Sequence, residues 1–135
     1  MKTKKFLFAA SLLLFCTHLN SLAMNNYGTI NGNKQNLSSG SHFKNNGTIT
    51  GKEKILIRVA KELSGNGLLK APVIVILTKA FAYKGTIDCD KSCTVYTTKK
   101  FKKSMFKKKG KGKLEVNVIP EEEFCKLWQK LANQN

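Results

Sequence analysis

The sequence predicts a mainly β fold: a single-stranded parallel β-solenoid of about four turns, with a C-terminal capping α-helix. Three observations carry that expectation. A short phrase recurs as Gly28-Thr29-Ile30, Gly47-Thr48-Ile49, Gly67-Leu68-Leu69 and Gly85-Thr86-Ile87, at spacings of 19, 20 and 18 residues. Each phrase is followed at a fixed distance by a small residue (Gly32, Gly51, Ala71, Cys89), and each unit ends near a large apolar one (Phe43, Leu63, Phe81, Phe101). Between these anchors lie β-branched runs, Ile55-Leu56-Ile57-Arg58-Val59 and Val73-Ile74-Val75-Ile76-Leu77, which are too short for helices. Units of this period bury their apolar edges only by stacking on one another.

In chain order, residues 1–23 come first. A basic start with Lys2, Lys4 and Lys5 precedes an apolar run from Phe6 to Cys16, and Ser21-Leu22-Ala23 offers small residues for cleavage. This is the layout of a secretory signal peptide, and the apolar run is short for a membrane span; an uncleaved anchor is the alternative. Export, to a periplasmic, cell-surface or secreted destination, is the expectation. Cleavage after Ala23 leaves 112 residues, enough for one small domain, and lowers the formal charge from +16 to +13.

Residues 24–119 form the expected solenoid domain. Glycine at each unit boundary suits a corner, as do Asn45-Asn46-Gly47 and Gly65-Asn66-Gly67. Asparagines at such corners can stack into ladders. Counted from each boundary glycine, Ile55 and Ile57, Val75 and Leu77, and Cys93 and Val95 occupy the same alternating offsets. The expected core is therefore the ladder Ile30, Ile49, Leu69, Ile87 beside Ile55, Ile57, Val75, Leu77 and Val95. The first turn has Asn36 and Ser38 at those offsets and is the weakest member.

The G-T-I-x-G rhythm followed by alternating aliphatics resembles the stacked turns of right-handed parallel β-solenoids of the filamentous-haemagglutinin adhesin type, over about residues 26–101. Gly67-Leu68-Leu69-Lys70-Ala71 also resembles the rhythm of bactofilins, which are cytoskeletal β-solenoids; an export signal departs from that family. Neither resemblance supplies catalytic residues.

A basic segment interrupts the domain at 99–113. Lys99, Lys100, Lys102, Lys103, Lys107, Lys108, Lys109, Lys111 and Lys113 are nine lysines in fifteen residues, with Phe101, Met105 and Phe106 placed to pin the segment to the body. Leu114 to Ile119 alternates as a strand, a candidate partial fifth turn. Residues 120–135 then open with Pro120 and Glu121-Glu122-Glu123, a helix start. Phe124, Leu127, Trp128 and Leu131 share one face, which suits a helix covering the open end of the solenoid or, alternatively, docking on a partner or membrane.

Little in the sequence carries reaction chemistry. There is no phosphate loop and no nucleophile-plus-histidine arrangement, so no enzyme activity, no cofactor and no metal are expected, and no small-molecule substrate. Asp88 and Asp90 flank Cys89 and are expected to point outward as solvated carboxylates; acid/base work on a glycan is the sharper alternative. Cys89 and Cys93 are a candidate disulfide if a corner lies between them, and equally suit a buried small-residue stack. The nine lysines make a field that attracts polyanions such as acidic glycan, anionic surfaces or nucleic acid. With Arg58 the single arginine, pattern-specific phosphate recognition is not expected. The function expected is thus an exported binding protein that engages acidic polymer through residues 99–113. The alternative is a structural solenoid that assembles through its ends.

Overall fold

The structure, a computed structural model, describes residues 23–133. The leader assigned to 1–23 lies outside the described residues, Ala23 excepted. Among the described residues ten strands precede one α-helix: β1 Met24–Asn26, β2 Thr29–Ser39, β3 His42–Asn45, β4 Thr48–Gly65, β5 Leu68–Lys70, β6 Val73–Tyr83, β7 Thr86–Asp88, β8 Ser92–Thr97, β9 Lys107–Lys109, β10 Lys113–Val118 and α1 Glu121–Ala132. Every strand pairing is parallel. The chain winds as a β-solenoid of three faces per turn. On the first face Thr29, Thr48, Leu68, Thr86 and Lys107 lie in successive register, so the turns number about five rather than four.

The predicted ladder Ile30, Ile49, Leu69, Ile87 is in register on that first face. Its three later members are fully buried. On the second face the inward ladders are Gln35, Ile55, Ile74, Cys93, Leu114 and Leu37, Ile57, Ile76, Val95, Val116. Met24, Phe43, Leu63 and Phe81 stack on the third. The Phe101 ring continues that stack, 4.3 Å from Phe81 between centroids. Leu114 to Val118 forms the strand of the fifth turn, as its alternation implies.

Val75 and Leu77 do not join the inward ladder. Turn lengths are unequal: Lys54 pairs Val73 although Thr50 pairs Lys70, and Glu62 pairs Ala80 although Val59 pairs Thr78. The third turn is thus one residue shorter than the second at each of two corners. A fixed count from the glycine slips by one, which reverses a strand's faces. Ile74 and Ile76 point inward and are fully buried, while Leu77 is buried on the outer side. Gln35 and Leu37 likewise replace Asn36 and Ser38 at the inward places of the first turn.

The boundary glycines are fixed by close approach. A Cβ on Gly47 would lie 2.0 Å from the Gly28 carbonyl oxygen, one on Gly67 2.1 Å from that of Gly47, and one on Gly85 2.0 Å from that of Gly67. Stacked corners touch backbone to backbone there. Beside them the expected asparagine stacking is formed at one step, Asn26 on Asn45. The Asn26 amide donates to Asn45 Oδ1 (2.9 Å), and the buried Asn45 amide donates to the Tyr83 hydroxyl (3.1 Å) and the Leu68 carbonyl (3.3 Å).

The helix α1 covers a side of the solenoid, not its end. Phe124, Cys125, Trp128 and Leu131 are buried against Leu56, Ala60 and Leu77, the outward residues of β4 and β6. That apolar outer strip suits the placement: it gives the helix's apolar stripe a matching apolar surface to bury. Glu121 pairs with Lys79 at 2.9 Å, and Glu122 with Lys126 at 3.6 Å. Beneath the helix lies Arg58, 8% exposed, stacked 5.1 Å from the Trp128 ring centre and donating to the Trp128 carbonyl at 3.4 Å. Its Nε and the Trp128 Nε1 are buried without a hydrogen-bond partner among the described residues. A buried cation without a carboxylate stabilises little. Arg58→Met should therefore raise stability by about 1 kcal/mol, read as a higher urea midpoint at unchanged m; a fall of similar size would show that the stacking outweighs desolvation.

Candidate functional site

The basic segment begins where β8 ends. Phe106 is buried and Phe101 and Met105 pack on the core, so the segment is pinned through its aromatic residues as their spacing implies. Phe106 meets Phe81 at 5.4 Å between ring centres. A 3-10 turn, Lys103–Met105, lies between the two pins. Then β9 pairs with β7, and Gly110, at φ +84°, turns the chain toward β10. Its positive φ suits glycine alone. The lysine segment is therefore not a free tail: Lys107, Lys108 and Lys109 are a strand of the last turn.

Lys99, Lys100, Lys102, Lys103, Lys107, Lys109, Lys111 and Lys113 are all exposed, whereas Lys108 is half-buried. Among the described residues the ion pairs are Lys34–Glu53, Lys79–Glu121 and Lys126–Glu122, and none involves this segment. Eight ammonium groups of one segment thus stand without a contact carboxylate, and their charges add. A second basic feature escaped the count along the chain. Lys61, Lys79 and Lys99 fall one per turn at the corner between second and third faces and line a recess of about 300 Å³ together with His42 and the carboxylates of Glu62 and Glu121, the latter paired with Lys79. Their spacing of one turn is the signal; reading lysines by turn rather than by local density would have found it. Lys99 belongs to both features and joins the flank to the terminal turn.

Lys108 occupies the place on the first face that Ile30, Ile49, Leu69 and Ile87 hold in earlier turns. Its ammonium bends to donate to the carbonyls of Lys109 (3.0 Å) and Gly110 (3.1 Å). Beside it are Cys89 and Cys93, both buried and both free thiols; Asp90-Lys91 makes the bend between them that the pairing requires. Burial pushes the Cys89 thiol up, and the Lys108 ammonium pulls the other way. Burial, with the neighbouring Cys89, pushes Cys93 up to about 12. Burial also pushes Tyr83 up to about 12, although its bond from Asn45 opposes this.

These two groups have an alkaline consequence. A thiol or phenol held protonated in the fold ionises first in the unfolded chain, so unfolding releases protons. Stability should be intact below pH 9 and fall between pH 9 and about 12, the interval set by Cys93 and Tyr83. Cys93→Ala and Tyr83→Phe should each flatten the fall of the urea midpoint across that range; unchanged slopes in both would refute the assignment.

The acidic pair is split. Asp88 ends β7 in register between Lys70 and Lys109, while exposed Asp90 sits in the bend beyond Cys89. The two therefore do not face one substrate from a single strand face. Among the described residues no group of three or more His, Cys, Asp or Glu side chains is placed to hold a metal ion, and no helix is long and apolar enough to cross a membrane.

Comparison of the chain with protein-family models, with curated proteins and with solved structures gives no match.

Proposed function

We propose that this protein is an exported, non-enzymatic binding module whose terminal solenoid turn engages an acidic polymer. One observation carries the reading: eight exposed lysines of residues 99–113 lie in a segment pinned to the body and ending in strands, with no carboxylate paired to them among the described residues. A rigid array loses less side-chain and backbone freedom on binding than a basic tail does. Lysine ammoniums are point charges that suit a uronic or sulfated glycan, an anionic surface or nucleic acid without reading a pattern. The adhesin likeness of the turns agrees with a surface or secreted setting.

Retention on heparin should fall steeply with salt. Lys107→Gln with Lys109→Gln should reduce the slope of log K against log salt by about 1 to 2. Lys126→Gln, on the helix, should leave it nearly unchanged. Weak retention of the parent protein at low salt, or an equal loss from Lys126→Gln, would overturn the proposal.

A second reading is structural self-assembly of the bactofilin or adhesin-fragment kind. It is favoured by the two ends of the solenoid: among the described residues, β9 and β10 pair on one side only, as do β1 and β2. Such edges are templates for further strands.

A further inference from the structure

We propose that the terminal turn is a docking surface for the N-terminal end of a second copy of this chain, and that Lys108 keeps it closed. The inference rests on the self-assembly reading and names its interface and its control. The two ends are congruent because they are the first and last members of one register. Continuing the observed ladders by one step sets Thr29, Ile30 and Asn31 on Lys107, Lys108 and Lys109, and Gln35 and Leu37 on Leu114 and Val116. Both ends offer apolar floors of partly buried residues: Met24, Ile30 and Leu37 at one, Phe101, Met105, Leu114 and Val116 at the other. Parallel stacking of turns that differ by one residue at a corner already builds the molecule, so a contact of the same kind between copies needs no new geometry. It runs head to tail and does not close on itself, which leads to filaments.

One residue breaks the congruence. Docking would place Ile30 of the incoming copy on Lys108, where every earlier turn stacks aliphatic on aliphatic. Covering that ammonium removes it from water, and its present partners among the described residues are two carbonyls of its own turn and the neutral Cys89 thiol, none of them an anion. An unpaired buried cation is costly, and inward charge is a known means of blunting an edge. Lys113 would meet Lys34 across the same junction, a like-charge contact. The end thus has the shape to stack and a charge that forbids it.

Sedimentation velocity of the purified protein near neutral pH tests this. The parent should be monomeric. Lys108→Ile, which restores the ladder, should raise the association constant by about tenfold or more, and Lys108→Arg should not. Adding Ile30→Lys to Lys108→Ile should return the monomer, because the incoming floor then carries the charge. Circular dichroism confirms the folded state, and Lys108→Met replaces any Ile variant that fails to fold. A parent that associates as strongly as Lys108→Ile would remove Lys108 as the gate while leaving self-assembly in place. Folded, monomeric Lys108→Ile and Lys108→Met would defeat self-assembly itself. Association that survives Ile30→Lys would show that another surface is responsible and overturn the interface.

Discussion

Gly67→Ala is expected to cost about 3 kcal/mol or more and to lower the melting temperature by roughly 12 °C or more. The added methyl would stand 2.1 Å from the Gly47 carbonyl oxygen and 2.9 Å from its nitrogen. Neither atom belongs to a side chain that could swing aside. Relief requires the second and third turns to separate, and the bonds from Leu68 and Thr86 into this corner to lengthen. Those bonds are 2.9 Å to the Gly47 carbonyl and 2.9 Å to the Gly67 carbonyl. The control lies in the same chain. Gly28 stands at the top of the same stack, where an added Cβ meets nothing within 4 Å. Gly28→Ala should be neutral or slightly stabilising, since it only restricts the unfolded chain. Thermal unfolding followed by circular dichroism separates the two, and equal melting temperatures would show that the corners are not in backbone contact.

Trp128→Ala should cost about 3 to 5 kcal/mol. Trp128 is 1% exposed and is the largest side chain between α1 and the strands, packed with Phe124 at 6.1 Å between ring centres. Its loss removes the lid over Arg58 and opens a cavity against Leu56 and Leu77. The solenoid core, a separate cluster, keeps its ladders. The expected product is a protein with retained strand signal, reduced helix signal and an exposed apolar strip that binds a hydrophobic dye. Full loss of strand signal at the same denaturant concentration would show that helix and solenoid fold as one unit.

The winding of the chain was legible because its cause is local and repeated. Gly47, Gly67 and Gly85 mark the corners where backbones touch, and Ile49, Leu69 and Ile87 follow each at the same distance. The fifth turn was harder to see. At Phe106 it lacks the boundary glycine, and it carries lysine where the ladder has isoleucine, so charge masked a strand. The partners of Ile55 and Ile57 were misassigned because corner lengths vary and periodicity alone does not report them. The side of the solenoid that takes the helix was illegible for another reason. Leu56 and Leu77 lie in runs apolar on both faces, and nothing in a continuous apolar run says which face is already filled. The candidate site was legible as charge density, but not as geometry: that Lys108 points inward, and that Lys61, Lys79 and Lys99 gather at one corner, follows only from register.

The uneven turns carry a consequence for how such a molecule can change. The residues that the second turn has and the third lacks fall between Thr50 and Lys54 and between Val59 and Glu62, while register before and after is undisturbed. Insertion at those two bends costs little more than loop closure, about 0.6 kcal/mol per doubling of loop length. The glycine corner has no such slack. Lineages of this chain are therefore free to lengthen, decorate or graft at two of three vertices of the coil, while the third acts as the fixed spine against which every later turn is measured.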